Sequence, residues 1–178
     1  MKKLMRIMII AVIMFMCVFT TVNATKEETS QEVLKGEKTI FLAGPTPRGG
    51  KCISWRKEAL KILEELGFDG IVYVPEYSNW KTKPDYLDQV LWERKALEEA
   101  KIILFWIPRT IPDMMGLTTN VEFGYWLHSN KVIYGRPDES EKIKYLDWLY
   151  EYDYNKKPVN DLKMLLEEVS MGWIIKYI

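Results

Sequence analysis

Two segments of this 178-residue chain concentrate the residue types that could do chemistry. Residues 44–50 are rich in glycine and proline and include Arg48, and residues 108–118 lead directly into Glu122. Glycines let a ligand approach the backbone, and an arginine could hold an anion. Neither the Walker pattern nor the spaced-glycine dinucleotide fingerprint is present, so turn formation alone would account equally well for the first segment.

Glu122 admits two interpretations. Thr119, followed three residues later by this glutamate, has the spacing of a capping box, in which both side chains accept hydrogen bonds from amides at a helix start. Spacing alone favours that interpretation. The alternative makes Glu122 a nucleophile on the first turn of a helix over residues 120–128, whose positive end keeps the carboxylate ionised at neutral pH.

Metal and thiol chemistry have few residues to work with. After residue 24 the chain holds one cysteine, Cys52, and one histidine, His128. The usual zinc and iron ligand sets cannot be assembled from these two, and any Ser/His/Asp or Cys/His nucleophile would have to use His128. We therefore expect no metal and no cofactor, and we expect carboxylates to carry the chemistry.

Residues 1–24 differ from the rest of the chain. They hold three of the 25 basic side chains, none of the 25 acidic ones, and an unbroken apolar run at residues 7–19. A basic start, about a dozen apolar residues and a small-residue ending predict a secretory signal peptide cleaved after Ala24. An uncleaved N-terminal membrane anchor is the alternative, but the run is shorter than the roughly 20 residues that a span needs.

The remaining sequence is slightly acidic, which gives no general attraction to nucleic acid or to an anionic membrane. We expect an exported, periplasmic or secreted protein that meets the membrane only during export. Residues 25–37 are polar and charged without periodicity, which predicts a flexible leader.

Strands and helices alternate over residues 38–178. Short apolar runs predict strands at residues 39–43, 71–74, 102–107 and 131–134, and a short fifth strand at 172–177. Helical spacing of apolar residues predicts helices at residues 54–66, 85–100, 120–128, 141–150 and 159–171. This order predicts a single α/β domain with a doubly wound, flavodoxin-like parallel sheet of order 2-1-3-4-5 and helices on both faces.

A sheet of this kind binds ligands outside the carboxyl ends of its strands, where the strand order reverses. In the order 2-1-3-4-5 that crevice lies between the first and third strands. These strands end in the segments 44–50 and 108–118. Topology and residue types therefore predict the same site.

Short motifs in this order resemble those of the nucleoside 2-deoxyribosyltransferase family. They are FLAGP at residues 41–45, WE at 92–93 and TNVEFG at 119–124. Two longer motifs, WIPR at 106–109 and GLTTNVEFG at 116–124, resemble those of the nucleoside 2-deoxyribosyltransferase-like branch. The resemblance covers residues 38 to about 145.

The resemblance implies an enzyme in which Glu122 attacks the anomeric carbon of a 2-deoxyribonucleoside and expels the base. The sugar is then held as a covalent ester until a second base or water takes it. Glu93 falls where the family has an aspartate that binds sugar hydroxyls; otherwise it would be a solvated carboxylate paired with Lys95 or Lys101. A homo-oligomer, in which a neighbouring subunit completes the site, is implied by the same analogy.

Further substrate contacts are predicted from the two segments. Arg48 and Arg109 could hold a 5′-phosphate, and Tyr77, Trp80 and Trp106 could stack a base. The other candidate substrate-binding residues are Gly44, Pro45, Asp113, Thr119 and Asn120.

Two positions depart from the family pattern. Phe41 stands where the family usually has a tyrosine whose hydroxyl orients the nucleophile. Gly116 replaces the aspartate six residues before the nucleophile, and Asp113 is a nearby substitute.

The leading hypothesis is an exported enzyme that cleaves or transfers the N-glycosidic bond of a nucleoside or nucleotide. Hydrolysis is at least as well supported as transfer, because an exported protein meets few free bases. The alternative is a non-catalytic nucleotide-binding or sensing module, in which Glu122 only caps a helix. A structural surface protein would leave both segments without a purpose.

Overall fold

The computed structural model describes residues 26–28, 38–48, 52–76 and 85–176. The predicted signal peptide, the predicted leader apart from residues 26–28, and two of the candidate stacking residues, Tyr77 and Trp80, lie outside the described residues.

The described strands form one parallel sheet of order β1-β3-β2-β4-β5. The strands are β1 (Lys26–Glu28), β2 (Thr39–Ala43), β3 (Ile71–Tyr73), β4 (Ile102–Trp106) and β5 (Val132–Gly135). From β2 onward the order is the predicted 2-1-3-4, and every neighbouring pair is parallel. Strands β2 to β5 are almost entirely buried, which explains why the sequence shows unbroken apolar runs there instead of alternation.

The fifth strand is not where the sequence predicted it. β1 comes from the segment predicted to be a leader and pairs with β3 at the opposite edge of the sheet. Beyond β5, Val159 makes only a one-residue parallel bridge to Gly135. The prediction of a strand at 172–177 is wrong, because residues up to Lys176 continue a helix that begins at Leu162.

Five α-helices surround the sheet within the described residues. They are α1 (Trp55–Glu65), α2 (Tyr86–Glu99), α3 (Leu117–Trp126), α4 (Lys144–Tyr154) and α5 (Leu162–Lys176), with a short 3-10 turn at Leu127–Ser129. Ser54 and Asp85 cap α1 and α2, each accepting a hydrogen bond from the amide two residues later. α3 begins three residues before its predicted start.

The helices form a layer on each face of the sheet. α1 and α5 pack on one face, where Leu63 and Leu165 meet Leu42 of β2 in one apolar cluster. The other cluster joins α2, α3 and α4 to the opposite face, where Phe123 and Tyr134 pack edge to face. This confirms the doubly wound α/β fold. Within the described part of the chain, none of the helices combines the length and apolar character that a membrane span requires.

Candidate active site

The segments that follow β2 and β4 are in contact at the carboxyl edge of the sheet. The amide of Arg48 donates to the carbonyl of Asp113 at 2.9 Å. A Cβ atom at Gly44 would lie 2.1 Å from the carbonyl oxygen of Trp106, so only glycine allows these backbones to approach so closely. The two segments therefore meet where the strand order reverses, which is the place where a sheet of this kind forms its ligand-binding crevice.

Helix α3 begins at the floor of this crevice. Its N-cap is Gly116, in the left-handed conformation with φ +63°, and no side chain caps the helix. Thr119 is a buried residue inside the first turn, and Glu122 follows in the second turn. The capping-box interpretation is therefore wrong, because Thr119 is not the N-cap and neither side chain is at a position that satisfies the first amides.

The surroundings of Glu122 oppose ionisation. Burial is the largest cause and the nearby carboxylate of Glu93 is the second; together they raise the pKa of Glu122 to about 7, while Arg56 acts in the opposite direction. The expectation that the positive end of the helix keeps this carboxylate ionised at neutral pH is therefore wrong, because a pKa of about 7 leaves a large part of it protonated there. Glu122 lies beyond the first turn, where the helix dipole is weak.

Glu93 lies on α2 and shares the environment of Glu122. Its carboxylate accepts a 2.8 Å hydrogen bond from the side-chain amide of Gln89, one helical turn earlier. Burial raises the pKa of Glu93, and the hydrogen bond from Gln89 and the charge of Arg56 reduce that rise. The alternative of a solvated carboxylate paired with Lys95 or Lys101 is wrong, because Glu93 is half-buried and bonded to Gln89, while Lys95 pairs with Glu99 at 3.8 Å.

Arg56 is the residue that the sequence analysis missed. Its side chain is buried, with 2% exposed, and its guanidinium fork faces the loop after β2. Nε donates to the carbonyl of Leu42 at 3.0 Å and Nη2 to the carbonyl of Gly44 at 2.7 Å. One signal was available: Arg56 lies in helical register with the buried residues Ala59 and Leu63.

One carboxylate partners this arginine among the described residues. Glu76, just after β3, lies 3.5 Å from Nη1 of Arg56 and also accepts a hydrogen bond from the hydroxyl of Ser54. Burial lowers the pKa of Arg56, while Glu76 raises it, as Glu122 and Glu93 also do. The crevice therefore contains one buried cation that interacts with three carboxylates.

Arg109, predicted to contact substrate, is bonded to the protein. Its Nη2 donates to the side-chain oxygen of Asn120 and its Nη1 to the carbonyl of Lys142 at 3.1 Å, while Nε has no partner among the described residues. Trp106 is also a core residue, 5% exposed, whose ring approaches Gly135. Arg48, in contrast, has an exposed side chain at the rim of the crevice.

Both departures from the family pattern have a structural reason. Phe41 is buried and packs against Trp92, with ring centroids 6.4 Å apart. At Gly116 a Cβ atom would lie 2.9 Å from Cβ of Pro45, in addition to the strain of a positive φ. An aspartate at this position would therefore require both the loop after β2 and the start of α3 to shift. Asp113 remains in the same loop, half-buried.

No site for a metal ion emerges from the residues that are described. None of their histidine, cysteine, aspartate and glutamate side chains form a group of three that could hold one.

Comparison with known proteins identifies the family. A family model described as nucleoside 2-deoxyribosyltransferase like matches residues 37–139, more than half of the chain. The matched region contains Arg56, both carboxylates and both loops of the crevice, and the model's description indicates a transferase-type enzyme acting on small nucleosides. No curated protein matches the chain. The crevice thus lies inside the matched region, and the chain belongs to the nucleoside 2-deoxyribosyltransferase-like family.

Proposed function

We propose that this protein cleaves the N-glycosidic bond of a nucleoside, a deoxynucleoside or one of their monophosphates, with Glu122 as the nucleophile. The observation that supports this most directly is the pair of half-buried carboxylates, Glu93 and Glu122, at the crevice beside one buried cation. Active sites commonly use burial and neighbouring charge to bring the pKa of a carboxyl group close to the working pH, as is the case for Glu122.

The reaction proceeds by double displacement. A carboxylate oxygen of Glu122 bonds to C1′ of the sugar as the bond from C1′ to the base nitrogen breaks, and the bonding electrons leave with the base, which takes up a proton. An incoming water or second base then attacks C1′ and gives up one proton, which balances the proton taken up by the leaving base, and Glu122 is released as a carboxylate. The negative charge of Glu122 stabilises the oxocarbenium-like transition state in both steps.

Glu93 has a different part in this scheme. Gln89 fixes one of its oxygens, and the carboxylate can accept hydrogen bonds from the sugar hydroxyls. Arg48 is the candidate for a 5′-phosphate, because its side chain is exposed at the rim. Arg109 is a weaker candidate, since its guanidinium already binds Asn120 and Lys142.

Substitution of Glu122 by glutamine tests the proposal. The mature protein is incubated with the common nucleosides, deoxynucleosides and their monophosphates, and free base is measured by liquid chromatography. Glu122→Gln keeps the size of the side chain but removes the nucleophile, so we expect base release to fall at least about a hundredfold.

The matched control is Glu65→Gln, which removes the same charge from an exposed pair with Lys61 at the end of α1. This variant is expected to keep full activity. Base release that survives in Glu122→Gln would remove Glu122 from the mechanism. If the unaltered protein binds a nucleotide but releases no base from any substrate, the enzymatic proposal fails and the binding-module alternative is supported.

Transfer and hydrolysis differ only in the acceptor. Because the N-terminal sequence predicts export, we favour water, which needs no second base site.

Export also predicts that the mature chain begins at Thr25. The intact mass of the exported protein would test this prediction. The apolar side chains of Leu91 on α2 and Val121 on α3 are exposed, which supports the expected homo-oligomer. Light scattering would measure the mass of this oligomer in solution.

A further inference from the structure

Arg56 connects the loop after β2 to the two carboxylates of the crevice. It extends from the first turn of α1, where its backbone amide also donates to Ser54 at 3.2 Å. The guanidinium reaches the carbonyls of Leu42, Gly44 and Pro45, which are three of the last four residues before Thr46. An arginine can hold several acceptors at once because its five N–H groups form a rigid planar fork.

We propose that Arg56 is a positioning residue for this site: it fixes the loop after β2 and supplies the shared counter-charge of Glu93 and Glu122, while Glu76 determines how much of that charge reaches them. The inference rests on the proposed function for its catalytic meaning, but the charge relation itself can be measured without turnover.

The first part of the inference follows from the contacts of the loop. Gly44 and Pro45, whose carbonyls Arg56 holds, are the residues that approach the other side of the crevice. A Cβ atom at Gly44 would collide with the carbonyl of Trp106, and Pro45 approaches the N-cap of α3 at Gly116. Arg56 therefore fixes the loop against the start of the helix that carries Glu122.

The second part of the inference follows from the hydrogen-bond partners of Arg56, most of which are neutral. Carbonyl and hydroxyl oxygens, including Oγ1 of Thr46 at 3.2 Å, accept hydrogen bonds but do not neutralise a positive charge. Glu76 is the one carboxylate that contacts the guanidinium within the described residues, and its 3.5 Å contact is long. Because the site is buried, the remaining positive charge is poorly screened and acts on neighbouring carboxylates.

The groups that face Glu122 from the packed elements are few among the described residues. Glu93 faces it from α2 and raises its pKa; Arg56 faces it from α1 and lowers that pKa. Glu76 acts on Arg56 from the end of β3. The ionisation of Glu122 thus depends on three charges: Glu93 opposes it, Arg56 favours it, and Glu76 acts on Arg56.

Two variants with opposite expected effects test this relation. Glu76→Gln removes the partner of Arg56, so more of its positive charge acts on Glu122, and the titration of Glu122 moves to lower pH. In the double variant Arg56→Met, Glu76→Gln the cation is also absent, and the titration moves to higher pH than in the unaltered protein. We expect shifts of about one pH unit in each direction.

The double variant is also expected to fold better than Arg56→Met alone. Arg56→Met alone would leave the half-buried carboxylate of Glu76 without the cation that contacts it, whereas the double variant removes this ion pair as a whole. The control is Glu99→Gln on α2, which removes a carboxylate that pairs with Lys95 and does not contact Arg56. Its titration curve for Glu122 is expected to match that of the unaltered protein.

The readout is the carbon-13 chemical shift of the Glu122 carboxyl group as a function of pH, assigned by its absence in Glu122→Gln. The midpoint of the pH dependence of kcat/KM is measured beside it. If Arg56 did not act on Glu122, the double variant would move the titration downward, as Glu76→Gln alone does, or leave it unchanged. Either result would overturn the inference.

These outcomes separate the two claims. Opposite shifts in the absence of any base release would sustain the role of Arg56 while the proposed function fails. Base release without opposite shifts would sustain the function and overturn the role of Arg56.

Discussion

Two arginines are buried at the carboxyl edge of the sheet, and they differ in what surrounds them. Arg56 is 2% exposed and Arg109 is 4% exposed. Arg56 lies among loop carbonyls and interacts with three carboxylates. Arg109 donates to Asn120 and to the carbonyl of Lys142, and no carboxylate contacts it within the described part of the chain. The two buried cations therefore differ in their electrostatic surroundings: Arg56 faces carboxylates, whereas Arg109 faces neutral acceptors.

The largest expected difference between the two arginines is in folding stability. Arg56→Met leaves the carboxylate of Glu76 and several carbonyls without their donor, so we expect a loss of about 3–5 kcal/mol. Arg109→Met removes two hydrogen bonds to neutral acceptors and is expected to cost about 1–3 kcal/mol. Urea unfolding of both variants measures the difference. Equal losses would show that the carboxylate neighbours of Arg56 contribute nothing to stability.

The second difference is in pH dependence. The pKa of Glu122 is raised from the model-peptide value of 4.5 to about 7 in the folded protein. The folded state therefore binds the proton more tightly, and this contribution to stability is full below about pH 4.5 and is lost as the pH rises to about 7.

Over that interval the free energy of unfolding of the unaltered protein should decline relative to Glu122→Gln, by at most about 1.4 kcal/mol per pH unit. Chemical unfolding at several pH values measures this slope. Arg109→Met should keep the slope, since Arg109 does not act on Glu122. Parallel curves for the unaltered protein and Glu122→Gln would contradict the raised pKa.

The smallest difference concerns single neutral acceptors. Thr46→Ala removes one of several acceptors of Arg56, and we expect a loss of about 0.5 kcal/mol. Asn120→Ala removes one of the two acceptors that the described residues offer Arg109, and it should cost about 1 kcal/mol. Thermal unfolding resolves the order of the two variants. A larger loss for Thr46→Ala would mean that the contacts of Arg56 are strongly cooperative.

Much of the fold could be predicted because its signals are local. The strands from β2 to β5 are apolar runs of the expected length, and Ser54 and Asp85 cap helices that begin where predicted. The strand predicted at 172–177 failed because a short apolar run fits a strand and a buried helix equally well. The start of α3 was missed because its N-cap, Gly116, provides no side-chain signal.

The site could be predicted only in part, for a similar reason. The two loops and the two glutamates follow from topology and from motifs that lie close together in sequence. The role of Arg56 depends on contacts with Gly44 and Glu76, which are 12 and 20 residues away along the chain. The helical register of Arg56 with Ala59 and Leu63 places it on the apolar side of α1, but it does not separate a buried arginine from a surface arginine at the edge of that stripe.

Gly116, the N-cap of α3, also fixes how many residues can lie between it and Glu122. Each residue of an α-helix turns the side-chain direction by about 100°, so the number of residues between Gly116 and Glu122 fixes where the carboxylate points. Gly116 is itself held beside Pro45. Leu117 and Val121 are about 70% exposed, so the helix does not depend on their packing against the core. An insertion or deletion of one residue in this stretch, by contrast, would turn Glu122 away from the crevice without altering any functional group.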